Sequence, residues 1–400
     1  MVKSSENNAY GRVNISIKIN DVDVQLPQLS YSITEFDSIY SFYPKIKMIM
    51  SDYEGNMNEF LALINGTKVD VLFGQDESSA KSCPFIVAKN STPQQKTSST
   101  MGGDMEIELI HEYFYKQEKT CNAYQSNISD IISELVKKYK FSSIDIEETY
   151  NSGYWYQPYV NDSEFIMNYL LPFAYSNSAT NTPFYCFIDS NNNFNFKSFH
   201  NMFNQTPIKN FEYTNDGLKV VGDENAFSNI KFAQLELSKI RPFFSDEYYS
   251  YDKDGKYETQ KDILLNYMKT NGKYPINGNS SLITDVIPLY DYDLNADDTK
   301  NNNKGIMMNL HKECVLPDKI IINTIIDKSL VSGKMINVSI PMSDSNVSTD
   351  ISLRNSGNYL IESSYHIWDG KTARTMLVCG KQNINLNSNY SNKERLFLNV

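Results

Sequence analysis

Two stretches far apart in this chain carry the same pattern. Leu63-Ile64-Asn65-Gly66-Thr67-Lys68-Val69-Asp70-Val71 aligns without gaps against Leu330-Val331-Ser332-Gly333-Lys334-Met335-Ile336-Asn337-Val338. The shared frame is Leu, Ile or Val, any residue, Gly, two positions, Val or Ile, Asp or Asn, and Val. A polar residue followed by Gly marks a turn, and the apolar–polar alternation behind it is that of a half-buried strand. Each copy continues with two further strand-like segments at similar spacing, residues 85–88 and 106–110 in the first, 359–363 and 375–379 in the second. Any hairpin that enters a strand presents part of this pattern. The other reading is a duplicated β-domain, the second copy interrupted by an insertion. Two copies per chain in a closed cyclic oligomer give a ring with twice as many similar domains as chains.

Periodicity places the remaining elements. Val13-Asn14-Ile15-Ser16-Ile17-Lys18-Ile19 and Lys45-Ile46-Lys47-Met48-Ile49-Met50 alternate as strands do, so residues 10–117 form a small all-β domain. The character changes near Thr120. Ile128, Ile131, Ile132, Leu135, Val136 and Tyr139 share one face of a helix that Ser126 or Asn127 can cap. A second helix is expected from Asp162, with Phe165, Ile166, Tyr169, Leu170 and Phe173 on one side and Pro172 kinking or ending it. Two Phe-rich strands flank a turn at residues 189–193, and with the helices they make an α+β domain at 118–208. A strand near 228–238 and the regular region from Lys319 onward assign 209–240 plus 318–385 to the second β-domain. Residues 241–317, rich in Tyr, Asp, Asn and Lys, read as an irregular insertion with one helix around 261–269. Residues up to about Tyr10 read as an arm and 386–400 as a polar tail.

Composition narrows the function classes. The chain has 400 residues, 40% hydrophobic and 21% charged, with a net charge of −11. An acidic chain without a basic stripe argues against tight binding to a nucleic-acid backbone, which needs Lys and Arg to displace counterions. The 28 Tyr and 21 Phe against 2 Trp favour strands, and Tyr also suits interfaces. Five cysteines, Cys83, Cys121, Cys186, Cys314 and Cys379, are odd in number and lack CxxC spacing, so they read as buried free thiols in a reducing compartment. The first residues lack the apolar core of a signal peptide, and no apolar run approaches the ~20 residues of a membrane helix.

No constellation reads as catalytic, cofactor-binding or metal-ligating. Asp291-Tyr292-Asp293-Leu294-Asn295-Ala296-Asp297-Asp298 begins like a calcium loop, but Ala296 stands where Gly makes the turn and Asn302 where a bidentate Glu closes the site. A solvated acidic loop is the simpler reading, and residues 189–193 are likewise a hairpin turn. His111, His200, His311 and His366 are isolated in sequence and read as structural or surface residues, with His366 packing on the penultimate strand. Glu106 and Glu108 alternate with Ile107 and Leu109 on a solvated strand face, and Glu147 and Glu148 form a second carboxylate pair. A glycan-cleaving site would need two opposed carboxylates in a cleft.

Three stretches resemble the phage tail hub family, which includes baseplate hubs and shares its fold with the upper part of type VI secretion spike proteins. They are the turn and strand at 63–73; the helix, Tyr154-Trp155-Tyr156-Gln157-Pro158, second helix and Phe-rich hairpin at 129–199; and residues 330–381, where Ser356-Gly357-Asn358-Tyr359-Leu360-Ile361-Glu362 precedes His366 and Arg374. The resemblance implies an α+β, mainly β fold with two similar small antiparallel β-barrel (tube-type) domains plus the α+β domain and the insertion. It implies a homotrimer whose barrels form a pseudo-sixfold ring, with a tail tube protein above, a spike or tail-tip protein below and other baseplate proteins around it. DNA would pass without sticking, along an inner wall where Asp and Glu outnumber Lys and Arg. It further implies a virion protein, assembled in the host cytoplasm, with no catalysis, cofactor or stable membrane binding. The alternatives are a spike or hub component of a type VI-like injection machine, against which the short stretch after Asn385 argues, and a tail-associated glycan-cleaving enzyme.

Overall fold

The computed structural model describes residues 14–19, 21–24, 31–52, 65–74, 81–90, 103–150, 152–176, 182–214, 217–220, 223–233, 244–251, 257–261, 281–286, 316, 318–340, 356–369 and 372–381. The first set of strands is β1 (Asn14–Ile19), β2 (Val22–Val24), β3 (Tyr31–Ser38), β4 (Lys45–Asp52), β5 (Lys68–Gly74), β6 (Lys81–Asn90) and β7 (Gly103–His111). A middle region follows: the single turn α1 (Glu112–Tyr115), β8 (Thr120–Asn127), α2 (Ile128–Lys137), β9 (Ser143–Ile146), β10 (Ser152–Val160), α3 (Asp162–Phe165), the hairpin β11 (Phe184–Ile188) and β12 (Asn193–Ser198), and α4 (Phe199–Phe203). The chain then runs through β13 (Lys209–Thr214), β14 (Gly217–Val220) and β15 (Asp223–Ala233). Next come β16 (Phe244–Tyr251), β17 (Tyr257–Lys261) and β18 (Ser281–Val286), and finally β19 (Asp318–Ile325), β20 (Met335–Ser339), β21 (Gly357–Trp368) and β22 (Ala373–Lys381).

The fold is α+β and mainly β. Its largest unit is a 14-stranded sheet in the order β2-β1-β5-β6-β7-β4-β3-β21-β20-β13-β14-β15-β19-β22, with β21 also paired to β22. Both strand sets belong to this one connected sheet; the β21–β22 pairing closes the circuit β21-β20-β13-β14-β15-β19-β22 in the second set, whereas among the described strands no pairing closes the first. Nor is the second set wholly antiparallel, because β13 runs parallel to β20.

Within that sheet the two glycine turns repeat the same hydrogen bonds. Gly66 and Gly333 both sit at positive φ, 89° and 79°. The Gly66 N–H donates to the Val87 carbonyl at 2.8 Å, and the Val87 N–H donates back to Thr67 at 2.9 Å. Gly333 and Ile361 make the same pair through Lys334, at 2.8 and 2.9 Å. One residue later each strand bulges, β6 between Val87 and Lys89 and β21 between Ile361 and Ser363. The cores match position for position. Val69, Phe85, Val87, Leu109, Ile46 and Met48 in one correspond to Ile336, Tyr359, Ile361, Cys379, Ile320 and Ile322 in the other, and all are buried. Turn, bulge and core positions thus match between the two strand sets, while the neighbour of β5 is antiparallel and that of β20 is parallel.

The middle region builds its own core. Ile128, Ile131, Ile132, Leu135 and Val136 of α2 are buried, as their spacing predicts. Asn127 is the N-cap residue but makes no side-chain capping bond. At the second helix, Asn161 Oδ1 accepts from the Glu164 N–H at 2.8 Å. Past α3 the turns widen to π geometry over Ile166–Leu170 and end in a 3-10 turn, Leu171–Phe173, that contains Pro172. The widening shifts the helical phase, which leaves Tyr169 exposed although it was expected on the buried face. The second Phe-rich strand ends at Ser198, and Phe199 opens α4.

The 241–317 region departs from its expectation. β16 pairs with β17 and β18 in a three-stranded sheet, and Lys261 ends β17 where a helix was expected to begin. The rest of that helix, the acidic stretch 291–298, the arm, the tail, Cys314 and His311 lie outside the described residues. Cys83, Cys186 and Cys379 are buried, whereas Cys121 is exposed because β8 turns it to solvent.

Both turn glycines are predicted to resist substitution, but unequally. A Cβ on Gly66 would sit 3.3 Å from the Tyr115 ring, whereas one on Gly333 would sit 2.5 Å from the Phe187 ring. Positive φ alone costs an L-residue roughly 1–2 kcal/mol, and overpacking adds about 1–3 kcal/mol. Chemical denaturation should therefore show G333A destabilised by about 2–5 kcal/mol and G66A by the smaller amount.

Candidate functional site

Buried polar residues gather where the two strand sets meet. Past its bulge β21 leaves β20 and pairs antiparallel with β3, from Ser363 opposite Ser38 to Trp368 opposite Ile33. A bulge adds one residue to one strand, bends it and increases its twist, which lets β21 exchange neighbours. Glu362 is the extra residue. Its carbonyl accepts from the Ile39 N–H at 2.9 Å and from Ser38 Oγ at 3.1 Å. Its carboxylate accepts from Tyr40 Oη at 2.7 Å and pairs with Lys319. One buried residue, through its carbonyl and its side chain, thus ties β3, β19 and β21 together.

A second polar cluster lies beneath β3. Ile33, Glu35 and Asp37 point to the buried side of that strand, and Glu35 pairs with Lys328 from the loop after β19. Both side chains are about 5% exposed or less. Asp37 accepts from the Ser190 N–H at 2.7 Å and the Ser332 N–H at 3.2 Å. The β11–β12 turn, expected as a hairpin turn, is buried here. Asp189 accepts from the backbone N–H groups of Asn191 and Asn193 at 2.9 and 3.0 Å, and Asn191 Nδ2 donates to the Lys328 carbonyl at 2.8 Å. The first copy, the middle region and the second copy therefore share one hydrogen-bonded node.

Burial governs the ionisation of this node. It raises Glu35 above the usual carboxylate range, against the opposing pull of Lys328. It also pushes Asp189 up to about 6, with the nearby Asp37 charge adding to the rise. His366, completely buried on β21, is held well below the usual histidine range by burial and by Lys328. The Thr375 hydroxyl accepts from the Asp327 N–H at 2.9 Å and lies 3.0 Å from His366 Nδ1, so its proton is available to that nitrogen. At His111, Nδ1 accepts from the Tyr113 N–H at 3.1 Å, which leaves Nε2–H to donate to Asn192 Oδ1 at 2.9 Å. Burial lowers His111 to about 4.

The other carboxylates noted in the sequence are placed as follows. Glu106 pairs with Lys47 at 2.9 Å on the outer face of β7, and Glu108 is exposed. Glu147 is buried and accepts from Ser176 Oγ at 2.6 Å and from Ser198 N–H and Oγ at 2.7 and 2.9 Å, while Glu148 is exposed. A cleft of about 530 Å³ lies between β8 and α2, but its acids, Asp130 and Glu134, are neighbours on one helix rather than opposed across the cleft. Among the described residues no group of three or more His, Cys, Asp or Glu is arranged to hold a metal.

Two outcomes follow from the node. Removing one partner of a buried ion pair typically costs about 3–5 kcal/mol, because the other charge is left alone, whereas replacing both with apolar groups is often neutral. K328M should therefore destabilise the fold by that amount in denaturant titrations, and K328M/E35M should recover most of it. Asp189 carries a raised carboxyl pKa, so its stabilising contribution is complete below the ordinary range near 4 and is lost as pH rises through about 6. D189N cannot ionise. Its stability relative to the parent should improve by about 1–2 kcal/mol between pH 5 and 7.5, read from paired unfolding curves.

No family model matches the sequence, and no curated protein matches it. Solved structures do resemble the fold. A tail protein from Neisseria meningitidis superposes with a TM-score of 0.55 at 7% identity, covering 93% of this chain and 97% of that one. The 43 kDa tail protein of prophage MuSo2 from Shewanella oneidensis gives 0.53 at 10% identity, covering 92% and 98%. A chain of the lidded Francisella PdpA-VgrG complex gives 0.50 at 11% identity; 96% of this chain covers 55% of that longer one. With its duplicated strand set joined through β3 and β21, the chain has the fold of phage tail proteins, one that a PdpA-VgrG complex also contains.

Proposed function

We propose that this chain is the structural hub of a phage tail or baseplate. Three copies form a ring with six similar strand sets, which joins the tail tube to the central spike and lets DNA pass. The observation that carries this reading is the duplicated unit, whose copies lie side by side in one sheet through the β21–β3 pairing. A chain that supplies two equivalent units can match a sixfold tube above while its single middle region keeps threefold symmetry below. The buried node supports a mechanical role, since polar groups that tie three regions together resist relative movement of the copies. A net charge of −11 suits a channel that DNA traverses without adhering. Tail tube, spike and other baseplate proteins are the partners on this reading, and the protein performs no catalysis.

A second reading has one specific support. The similarity to a chain of the PdpA-VgrG complex makes a hub in a type VI-like injection machine the alternative. Both readings place the chain in a ring between a tube and a spike.

Size-exclusion chromatography with light scattering, run beside a peptidoglycan-clearing assay, tests the proposal. A trimer that clears nothing is the expected result. A monomer that clears peptidoglycan would overturn it in favour of a tail-associated glycan-cleaving enzyme.

A further inference from the structure

We infer that the cleft between β8 and α2 seats an extended, basic peptide segment of another protein, which adds to the open edge of β8 as a third strand. The inference stands apart from the ring reading and concerns what the middle region holds.

The cleft runs along an edge of β8 rather than over a face. Successive residues of a strand point to opposite faces, yet every residue from 122 to 126 lines the cleft. Only the backbone edge of a strand presents both sets at once. β10 pairs with the other edge, from Ser152 opposite Asn127 to Val160 opposite Thr120, and completes a two-stranded sheet. The opposite wall is Asp130, Ile131, Glu134 and Leu135 of α2 and Lys138 just past its end. Residues four apart are neighbours on one helix face, so this wall is a single stripe of α2. β8 ends at Asn127 and α2 begins at Ile128, so the cleft of about 530 Å³ fills the angle between a strand and the helix that leaves it. Five residues of strand span about 17 Å, which suits a segment of similar length. Added strands of this kind gain main-chain hydrogen bonds from the edge, and neighbouring side chains select their sequence.

The composition of β8 leaves it open to pairing. Strands at a sheet edge ordinarily carry a Lys, a Pro or a bulge that discourages a further strand. Residues 120–127 include no charged side chain and no proline. The irregularity in the β8–β10 pair puts its extra residue on β10, between Gln157 and Val160.

Charge selects the occupant. Asp130 and Glu134 line the cleft and are exposed. Lys138, the cation among the lining residues, is committed to the buried Asp162 at 2.6 Å. Asp130 accepts from Ser126 Oγ at 3.0 Å, a neutral donor that leaves the charge in place. Lys or Arg at the positions facing α2 therefore complements the wall. On the outer face of the ribbon, Ala123 and Gln125 lie opposite Tyr156 and Tyr154, both exposed. An added strand extends that face, so apolar side chains suit its outward positions. The occupant is thus a strand that alternates basic and apolar residues. A basic neighbour is a better source than a second copy of this chain, whose net charge is −11.

Fluorescein-labelled hexapeptide amides test this against the full chain by anisotropy. The probes are an alternating lysine–valine peptide, its glutamate–valine counterpart, and the lysine–valine peptide N-methylated along its backbone. The lysine–valine peptide should bind saturably and the other two should not. The variant D130K/E134K, changed at exposed positions only, should bind it about tenfold more weakly. Amide hydrogen exchange at residues 122–126 should slow when that peptide is present. Equal binding of the N-methylated form, or no effect of D130K/E134K, would overturn the strand addition in favour of unspecific attraction. Failure of every peptide to bind would overturn the site itself. Exchange at 122–126 that slows with protein concentration alone would place a second copy in the cleft and overturn the basic partner. None of these outcomes bears on the trimer.

Discussion

The change of partner at Glu362 is the constraint on which the rest of the structure depends. A strand has two edges, and β21 must serve three neighbours, β20, β22 and β3. One extra residue solves this by bending the strand away from β20 and turning its end toward β3. Such a bend would leave a carbonyl and a carboxylate buried without partners. Ile39, Ser38, Tyr40 and Lys319 supply those partners, so Glu362 is satisfied at both its backbone and its side chain.

Beneath that bend the charge balance is uneven. Glu35, Asp37 and Asp189 are buried near one ammonium group, that of Lys328. Backbone N–H groups from two loops, together with the Asn193 side-chain amide, solvate Asp37 and Asp189. Carboxylates held this way orient the loops that hold them, because each oxygen accepts only along a limited set of directions. The β11–β12 turn and the loop before β20 are thereby locked to β3. The middle region cannot move independently of the joint without stripping buried carboxylates of their donors.

Much of the repeated unit was legible in the sequence. The frame around Gly66 and Gly333 marked both turns, and the alternation behind each marked β5 and β20. The apolar spacing from Ile128 to Val136 marked α2. By contrast β3 went unread although it is central. Its inward positions after Ile33 are Glu35 and Asp37, so its buried face carries the residues that ordinarily mark a solvated one. The turn at Asp189 was placed correctly, while its burial had no mark in the sequence, since Asp and Asn favour turns whether water or protein surrounds them. The strands of the 241–317 region were hidden by a composition of Tyr, Asp, Asn and Lys without a two-residue period. The expectation of buried thiols held for Cys83, Cys186 and Cys379 but not for Cys121; Cys83 and Cys379 sit in the matched cores, where burial raises both and leaves them unreactive.

Sequence alone determined the local geometry that each copy repeats, because a left-handed glycine and a two-residue alternation act within a few residues of themselves. It also determined the class, α+β and mainly β. Tertiary structure decided that the copies share one sheet and that acids form the joint between them. The reason is that strand pairing and the solvation of a buried charge depend on groups hundreds of positions apart, such as Glu35 and Lys328. No single stretch of the chain carries the complement that makes either favourable.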